Sequence, residues 1–322
     1  MTTASGTREA PPGAERPAGG RVSVIIPTRN RSHLLADALG SVLNQSWRDV
    51  QVLVIDDASE EVHWREAQRL AAPATSVQLL RHPIRRGVSA ARNLGLSLAA
   101  GEYIQFLDDD DLLDRDALTR SVAILDADRT WDGVVCGLRI ESLPGASGAG
   151  QAEPQREAPR VHSIATCIAH TFAIHTALVR RQAIGDLRFP EEATMAEDQY
   201  FWCRVFHTGC RFVSRPEPDA IHRRHALNVT NSLAEFRRGA RAYYLKLLRE
   251  GLVQRPDDLA LIHLRLAYWS WHLGYPDWGH HAALASCSPL RALRHVREYV
   301  ARSRRGASTG DGTRTGARSS LE

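Results

Sequence analysis

Four consecutive aspartates, residues 108–111, are the most distinctive chemical feature of the sequence. They follow the segment EYIQFL, residues 102–107, whose apolar character predicts a strand. Adjacent carboxylates repel one another strongly at low dielectric, and a divalent cation relieves that repulsion. Mg²⁺ and Mn²⁺ prefer oxygen ligands, and Mg²⁺ is often held by carboxylates together with substrate phosphates. The segment therefore favours a site for Mg²⁺ or Mn²⁺, although a solvated acidic loop that caps the next helix would explain the same residues.

Four other polar segments have residue types that could bind ligands. They are Pro27-Thr28-Arg29-Asn30, Asp56-Asp57-Ala58-Ser59, Glu197-Asp198 and Ile221-His222-Arg223-Arg224-His225. The first two end predicted strands, at the edge where open α/β sheets bind ligands. A carboxylate there can accept hydrogen bonds from a base or a ribose, and the His/Arg segment offers a metal ligand and phosphate contacts. Taken singly, each segment is explained as well by a turn, a helix cap or an exposed basic strand end.

Strands and helices alternate along the segment that precedes the aspartates. Strands are predicted at residues 22–27, 51–55, 77–80 and 102–107, and the first two are predicted to be buried. The predicted helices between them begin near Ser32, near Trp64 and near Ser89, and the two serines are predicted N-caps. This alternation is typical of a doubly wound, mostly parallel sheet flanked by helices, which defines an α/β fold.

The pattern changes after the aspartates. A helix is predicted at residues 116–127, strands at 133–140, 171–179 and 211–214, and a loop at 142–160. From about residue 233 the pattern becomes helical. We therefore predict an α/β domain at residues 21–228 and a small helical region at 229–303, with disordered tails at 1–20 and 304–322.

Composition excludes several classes of protein. The 322 residues are 43% hydrophobic, which permits a sizeable core, and the net charge of +4 without basic clusters argues against a nucleic-acid partner. A P-loop is excluded because Lys246 is the single lysine and follows no glycine-rich loop, and the G-x-G-x-x-G of a dinucleotide site is missing. Without a transmembrane segment, a signal peptide or paired cysteines, we expect a cytoplasmic protein, and peripheral association with a membrane stays open.

In combination, the segments resemble the family 2 glycosyltransferases of the GT-A fold. The matching stretches are VSVIIPTRNR, VLVIDDAS, GVSAARNLGLSLAAGEYIQFLDDDD, AEDQYFWCR and IHRRH, in the family's order between residue 22 and about residue 225. Ala58 and Ala196 replace glycines that are usual in the family. The Q-x-x-R-W signature of the processive synthases is absent, so the resemblance is to the non-processive bacterial members.

The resemblance implies a nucleotide-sugar donor and assigns residues to it. The implied donor-binding residues are Pro27, Thr28, Arg29, Asn30, Asp56, Arg92, Asp108 and Asp109, with Asp57 as a neighbour. Within this set, Asp56 would face the base, whereas Asp108 and Asp109 would hold the ribose and the donor sugar. A uridine diphosphate sugar is the expected donor because it is the commonest choice in the family.

The resemblance also implies the reaction. Asp110 would ligate Mg²⁺ or Mn²⁺ with His225 as a further ligand, and Asp198 would be the general base for an acceptor hydroxyl. The expected activity is an inverting sugar transfer to a glycan, a secondary metabolite or a peptide. Two alternatives stay open: a sugar nucleotidyltransferase, which would attack phosphorus, and a nucleotide-sugar-binding module whose catalytic site has decayed.

Overall fold

The structure, a computed structural model, describes residues 20–143, 161–169, 173–192, 195–225 and 233–286. Apart from residues 20, 142 and 143, the predicted tails and the predicted loop at 142–160 lie outside this part of the chain. The chain divides into two compact units. The first comprises Met1–His162, Ala173–Glu191 and Gly209–Ala226, and the second comprises Ser163–Phe172, Glu192–Thr208 and Leu227–Glu322.

The strands all belong to the first unit, and the helices are shared between the two units. The strands are β1 Val22–Thr28, β2 Val50–Asp56, β3 Val77–Arg81, β4 Tyr103–Phe106, β5 Leu112–Leu113, β6 Gly133–Val135, β7 Leu138–Ser142, β8 Val161–His162, β9 Ala177–Arg180, β10 Phe212–Ser214 and β11 Ala220–Arg224. The helices are α1 Ser32–Leu43, α2 Glu61–Ala71, α3 Val88–Leu98, α4 Ala117–Ala127, α5 Ile164–Ala169, α6 Arg181–Ile184, α7 Glu197–His207, α8 Leu233–Arg249, α9 Pro256–Leu273 and α10 Trp278–Ala285.

The first unit contains the predicted α/β sheet. Its eight strands have the order β3-β2-β1-β4-β9-β6-β10-β8, and β1, β2, β3 and β4 run parallel to their neighbours among themselves. β9 is antiparallel to both of its neighbours, and β8 is antiparallel to β10. A second sheet of three strands has the order β5-β11-β7. The predicted fold class, a mostly parallel sheet flanked by helices, is confirmed.

Close packing of helices on both faces buries β1 completely. Every residue of β1 is buried, as its continuous apolar sequence predicts for an internal parallel strand. Leu35 and Leu39 of α1 pack into the same core. On α3, Gly95 permits close contact with β1, because a Cβ atom there would lie 2.4 Å from Cγ2 of Ile25. The helices therefore hold β1 and its carboxyl end in one position.

Three local predictions were wrong. The predicted strand at residues 133–140 is two strands, β6 and β7, which belong to different sheets. The chain changes sheets at Gly137, where a Cβ atom would lie 2.6 Å from a backbone carbonyl oxygen. Ser32 is the first residue of α1, where its Oγ is 2.9 Å from Nδ1 of His63, and Ser89 lies inside α3. Neither serine is the N-cap: that position belongs to Arg31 in α1 and to Gly87 in α3.

The second unit is helical. Tyr243 and Leu247 of α8 are buried, as are Ile262 and Leu266 of α9, so that apolar faces of the two helices are covered. The hydroxyl of Tyr243 lies 3.1 Å from Sγ of Cys203 on α7. Within the described residues, no helix is both long enough and apolar enough to cross a membrane.

Two alanines adopt a backbone conformation that favours glycine. The φ angle is 57° at Ala58 and 59° at Ala196, in the left-handed region. An L-residue pays roughly 1–2 kcal/mol for this conformation because its Cβ approaches the following carbonyl oxygen. These are the two positions at which the sequence departs from the glycines of the resembled family. The fold therefore retains the glycine-type turn at both alanines.

We predict that Ala58→Gly does not reduce the free energy of unfolding and raises it by up to ~1 kcal/mol, because relief of the left-handed strain outweighs the entropy that glycine adds to the unfolded chain. The matched control is Ala123→Gly at an exposed, central position of α4. There the same replacement should cost about 1 kcal/mol. Urea denaturation of both variants measures the difference, and equal losses would contradict the strain at Ala58.

Candidate active site

The carboxyl ends of β2, β1 and β4 meet at one edge of the main sheet. Thr28 at the end of β1 lies opposite Asp56 at the end of β2 in the strand register. The aspartates at 108–111 begin two residues after β4. Pro27 is buried within β1, whereas Arg29 is exposed beyond its end. Most of the predicted donor-binding segments thus lie at the edge where α/β sheets bind ligands.

Asp109 is the most deeply buried of the four aspartates, with an exposed fraction of 0%. Its Oδ2 accepts a hydrogen bond of 2.7 Å from Oγ1 of Thr28, and its Oδ1 lies 2.9 Å from Nη2 of Arg31. Burial raises the pKa of Asp109 to about 7, although the Arg31 guanidinium acts in the opposite direction. In this structure Asp109 fixes Thr28 and Arg31, and its predicted contact with the donor stays a prediction.

Asp110 lies between a guanidinium and an imidazole. Its Oδ2 is 2.7 Å from Nη1 of Arg31 and 3.1 Å from Nε2 of His225. Burial and the neighbouring Asp111 and Asp108 carboxylates raise the pKa of Asp110. The structure thus brings together Asp110 and His225, the two residues predicted to bind a metal. Arg31 was not among the predicted site residues, although the motif TRNR contains it.

Asp108 is the most exposed aspartate of the segment, with 31% of its side chain accessible. Its Oδ1 accepts a hydrogen bond of 2.7 Å from Nη2 of Arg92. The Arg92 guanidinium is itself buried and lies 5.3 Å from the centre of the Phe189 ring. The predicted donor-binding residues Asp108 and Arg92 therefore form an ion pair in which only Asp108 faces solvent.

Asp111 is held by two histidines from distant parts of the sequence. Its Oδ2 is 3.0 Å from Nδ1 of His175, and its Oδ1 is 3.0 Å from Nδ1 of His222. The backbone N–H of Arg223 also donates to Oδ1 at 2.9 Å. Burial alone would raise the pKa of Asp111, but the two imidazoles lower it below its ordinary value. No sequence signal pointed to His175, because it is far from the segment in the chain and belongs to no motif.

The segment after β1 is clamped to the segment after β2. The backbone N–H of Asn30 donates to Oγ of Ser59 at 2.9 Å, and Oδ1 of Asn30 accepts from the backbone N–H of Glu60 at 2.7 Å. Asn30 adopts a left-handed conformation with φ of 55°, which asparagine tolerates better than most residues. Oδ1 of Asp56 accepts from the backbone N–H of Ser59 at 3.0 Å. The contacts predicted for Asn30 and Asp56 with a nucleotide stay predictions.

Asp57 stabilises the loop that leads into α3. Its Oδ1 lies 2.9 Å from Nδ1 of His82 and accepts the backbone N–H of Arg86 at 2.8 Å, and its Oδ2 accepts the backbone N–H of Gly87 at 2.8 Å. Burial alone would raise the pKa of Asp57, but these hydrogen bonds lower it. Asp57 therefore positions the start of the helix that carries Arg92.

Asp198 belongs to the second unit, where it lies in the first turn of α7. Ala196, in its left-handed conformation, is the residue before the helix. The Asp198 side chain is half-buried, and its Oδ1 accepts the backbone N–H of Gln199 at 2.8 Å. A carboxylate at this end of a helix is favoured by the helix dipole. The role of Asp198 as a general base stays a prediction.

The donor set of the cluster fits a divalent cation that prefers oxygen. Asp108, Asp110 and Asp111 each offer a carboxylate oxygen, and these atoms lie within 4.8 Å of one another. The raised pKa values of Asp109 and Asp110 show that their surroundings do not fully compensate the negative charge. An added cation would supply that compensation, as Mg²⁺ and Mn²⁺ do at carboxylate sites.

The fold and the site define a glycosyltransferase of the GT-A class. The sequence pattern of glycosyl transferase family 2 matches residues 23–188, just over half of the chain. The chain therefore belongs to glycosyl transferase family 2.

Several curated relatives are similar over part of the chain. The putative glycosyltransferase EpsE of Bacillus subtilis is 29% identical over 215 residues, which cover 64% of this chain and 77% of EpsE. The poly(ribitol-phosphate) β-N-acetylglucosaminyltransferase TarS of Staphylococcus aureus is 26% identical over 194 residues, 58% of this chain. Those residues span 32% of TarS, so the chain matches about a third of that longer relative.

Two solved structures show the same fold at low identity. The crystal structure of S. aureus TarS 1–349 in complex with UDP-GlcNAc has a TM-score of 0.60 and 20% identity, and covers 78% of this chain and 73% of that one. The mannosyltransferase PcManGT of Pyrobaculum calidifontis, in complex with GDP-Man and Mn²⁺, has a TM-score of 0.59 and 22% identity. Its match covers 88% of this chain and 80% of that one.

We predict that Asp109 makes the stability of the metal-free protein fall as pH rises. In the unfolded chain Asp109 ionises near the ordinary pKa of 3.8, whereas in the folded protein it holds its proton to about 7. Between these values only the folded state binds the proton, so the free energy of unfolding falls with increasing pH. Asp109→Asn removes this contribution.

Urea denaturation in the presence of a chelator measures the effect. The stability of the wild type relative to Asp109→Asn should fall by about 2.5 kcal/mol between pH 5 and pH 8. A constant difference over this range would mean that Asp109 is already ionised in the folded protein.

Proposed function

We propose that the chain is an inverting, metal-dependent glycosyltransferase, which moves a sugar from a nucleotide diphosphate sugar to an acceptor hydroxyl. The observation that carries the proposal is the cluster of aspartates at the carboxyl end of β4, in a chain that belongs to glycosyl transferase family 2. Asp110 and His225 would hold Mg²⁺ or Mn²⁺. The Mn²⁺ in the PcManGT structure supports this choice of metal.

A uridine diphosphate sugar is the proposed donor. TarS, whose structure is known with UDP and with UDP-GlcNAc, shares the fold of this chain. At the sheet edge, Asp56 is proposed to face the base, and Asp108 with Arg92 is proposed to face the ribose and the donor sugar. Asp108 suits this role because its carboxylate is the one that retains solvent access beside the buried Arg92.

The proposed acceptor is a hydroxyl of a glycan, a secondary metabolite or a peptide. One relative, 37% identical over 100 residues, is the GalNAc(5)-diNAcBac-PP-undecaprenol β-1,3-glucosyltransferase of Campylobacter jejuni. That match covers 31% of this chain and 32% of the relative. TarS and this relative are named for different acceptors, so the relatives do not narrow this set.

In the proposed mechanism, different groups act on the leaving group and on the attacking hydroxyl. Asp110 and His225 would hold a divalent cation, whose charge would neutralise that of the diphosphate leaving group. Asp198 would accept the proton of the acceptor hydroxyl as that oxygen attacks the anomeric carbon. The anomeric centre develops oxocarbenium character, as in glycoside hydrolysis, and a single in-line displacement inverts its configuration.

The experiment that tests the function is a screen of nucleotide sugars with candidate acceptors, followed by analysis of both products. Release of a nucleoside diphosphate and a new glycosidic bond of inverted configuration are expected. Release of pyrophosphate would instead identify a sugar nucleotidyltransferase. Binding of a nucleotide sugar without turnover of any acceptor would indicate a decayed site.

Asp110→Asn should reduce turnover at least ~10²-fold, because the change removes a charged metal ligand and with it the neutralisation of the leaving group. The control is Asp186→Asn, which removes an exposed carboxylate outside the cluster. Product formation is measured for both variants over a range of Mn²⁺ concentrations. Full activity of the wild type in excess chelator would contradict metal dependence.

Asp198→Asn should reduce transfer by ~10²–10⁴-fold while it leaves donor affinity nearly unchanged, because the amide has the size of the carboxylate but not its basicity. Donor binding is measured by calorimetry and transfer by product formation on the same variant. Glu197→Gln, the same change at the adjacent residue, is the control and should retain activity. Transfer by Asp198→Asn at the wild-type rate would assign the base to another group.

A further inference from the structure

Arg31 bridges two of the four aspartates through the two ends of its guanidinium. Nη2 lies 2.9 Å from Oδ1 of Asp109, and Nη1 lies 2.7 Å from Oδ2 of Asp110. The same Asp110 oxygen is 3.1 Å from Nε2 of His225. A cation that binds this oxygen and His225 would share the oxygen with the Arg31 guanidinium, and the two positive charges would repel each other. The guanidinium and a divalent cation therefore compete for one ligand atom.

The backbone of Arg31 is fixed, so any exchange must come from its side chain. Its carbonyl oxygen accepts the backbone N–H groups of Leu34 and Leu35 at 2.9 and 3.0 Å, which form the first turn of α1. The preceding residue, Asn30, is clamped to Ser59 and Glu60. The Arg31 side chain is 26% exposed, whereas that of Asp109 is 0% exposed. The guanidinium can thus leave the carboxylates towards solvent while the main chain stays in place.

Displacement of the Arg31 guanidinium by a divalent cation is electrostatically unfavourable when no other ligand is bound. Buried carboxylates without a counter-charge are strongly unfavourable, so Arg31 stabilises the cluster as long as no metal is bound. A metal that displaces the guanidinium recovers that stabilisation but leaves the guanidinium without its partners, and two cations in proximity repel each other. A diphosphate offers the displaced guanidinium a new bidentate partner.

We propose that Arg31 is an internal counter-ion, which occupies the aspartates until a divalent cation displaces it and then binds the diphosphate of the donor. This inference rests on the proposed function, since it takes Asp110 as a metal ligand and a nucleoside diphosphate as part of the donor. Arg31 is then a donor-binding residue whose movement couples the two ligands. By linkage, each ligand strengthens the binding of the other.

The test is a titration of the full-length protein with Mn²⁺, with and without UDP. Free Mn²⁺ is measured by its electron paramagnetic resonance spectrum, and the values are corrected for the Mn²⁺–UDP complex in solution. In Arg31→Gln, Mn²⁺ alone should bind about tenfold more tightly than in the wild type, because its competitor is absent. The factor by which UDP strengthens Mn²⁺ binding should be about tenfold smaller, within the usual range of coupling between sites.

Comparison of Arg31→Lys with Arg31→Gln separates the effect of the positive charge on Mn²⁺ affinity from the effect of the forked geometry. Arg31→Lys keeps the positive charge, but one ammonium group cannot form the forked contact with both aspartates. It should bind Mn²⁺ more tightly than the wild type and less tightly than Arg31→Gln. This variant also carries the test if the loss of charge prevents Arg31→Gln from folding. Arg65→Gln, which removes a 69%-exposed arginine on α2, should behave as the wild type.

Asp110→Asn distinguishes failure of this inference from failure of the proposed function. If Asp110→Asn loses Mn²⁺ binding while both Arg31 variants bind Mn²⁺ no more tightly than the wild type, the metal site stands and the counter-ion role is wrong. If Asp110→Asn binds Mn²⁺ as the wild type does, the proposed metal site is itself wrong, and the inference fails with it.

Discussion

The concentration of negative charge at the end of β4 is the constraint on which the site depends. Four carboxylates in sequence, three of them largely buried, require counter-charges that no local stretch of chain supplies. The structure provides guanidinium counter-charges from Arg31 after β1 and from Arg92 on α3, and imidazole partners from His222 and His225 at β11. The electrostatic requirement of one short segment therefore involves elements from both sheets. Packing alone would not demand these contacts.

The three-stranded sheet helps to satisfy the same electrostatic constraint. β11 pairs with β5, which directly follows the aspartates, and its own residues include His222. Asp111 accepts hydrogen bonds from that histidine and from the backbone of Arg223. The carboxylate thereby ties the segment after β4 to β11, and this connection holds His225 within reach of Asp110. Asp111 can in this way determine where His225, the proposed metal ligand, lies.

The sequence predicted those features that follow from local periodicity and from the chain direction of parallel strands. Continuous apolar segments identified β1 and β2, and alternation with helices placed their carboxyl ends at one edge. Long-range pairing was not accessible in this way. Neither the contact of His175 with Asp111 nor the division of residues 133–140 between two sheets leaves a periodic signal. Arg31 was missed for a related reason, since one arginine in TRNR cannot be distinguished from the other without knowing which of them reaches the carboxylates.

Exposure divides the aspartates into alternating pairs. The side chains of Asp108 and Asp110 are 31% and 11% exposed, whereas those of Asp109 and Asp111 are 0% and 3% exposed. The two inner carboxylates are occupied by protein groups: Asp109 by Thr28 and Arg31, and Asp111 by two histidines. The outer pair, Asp108 and Asp110, retains some exposure, and its members pair with the guanidinium groups of Arg92 and Arg31. Burial thus separates a segment of uniform composition into two more buried and two more exposed carboxylates. That separation cannot be read from four identical letters, because it depends on which direction each side chain takes from the end of β4.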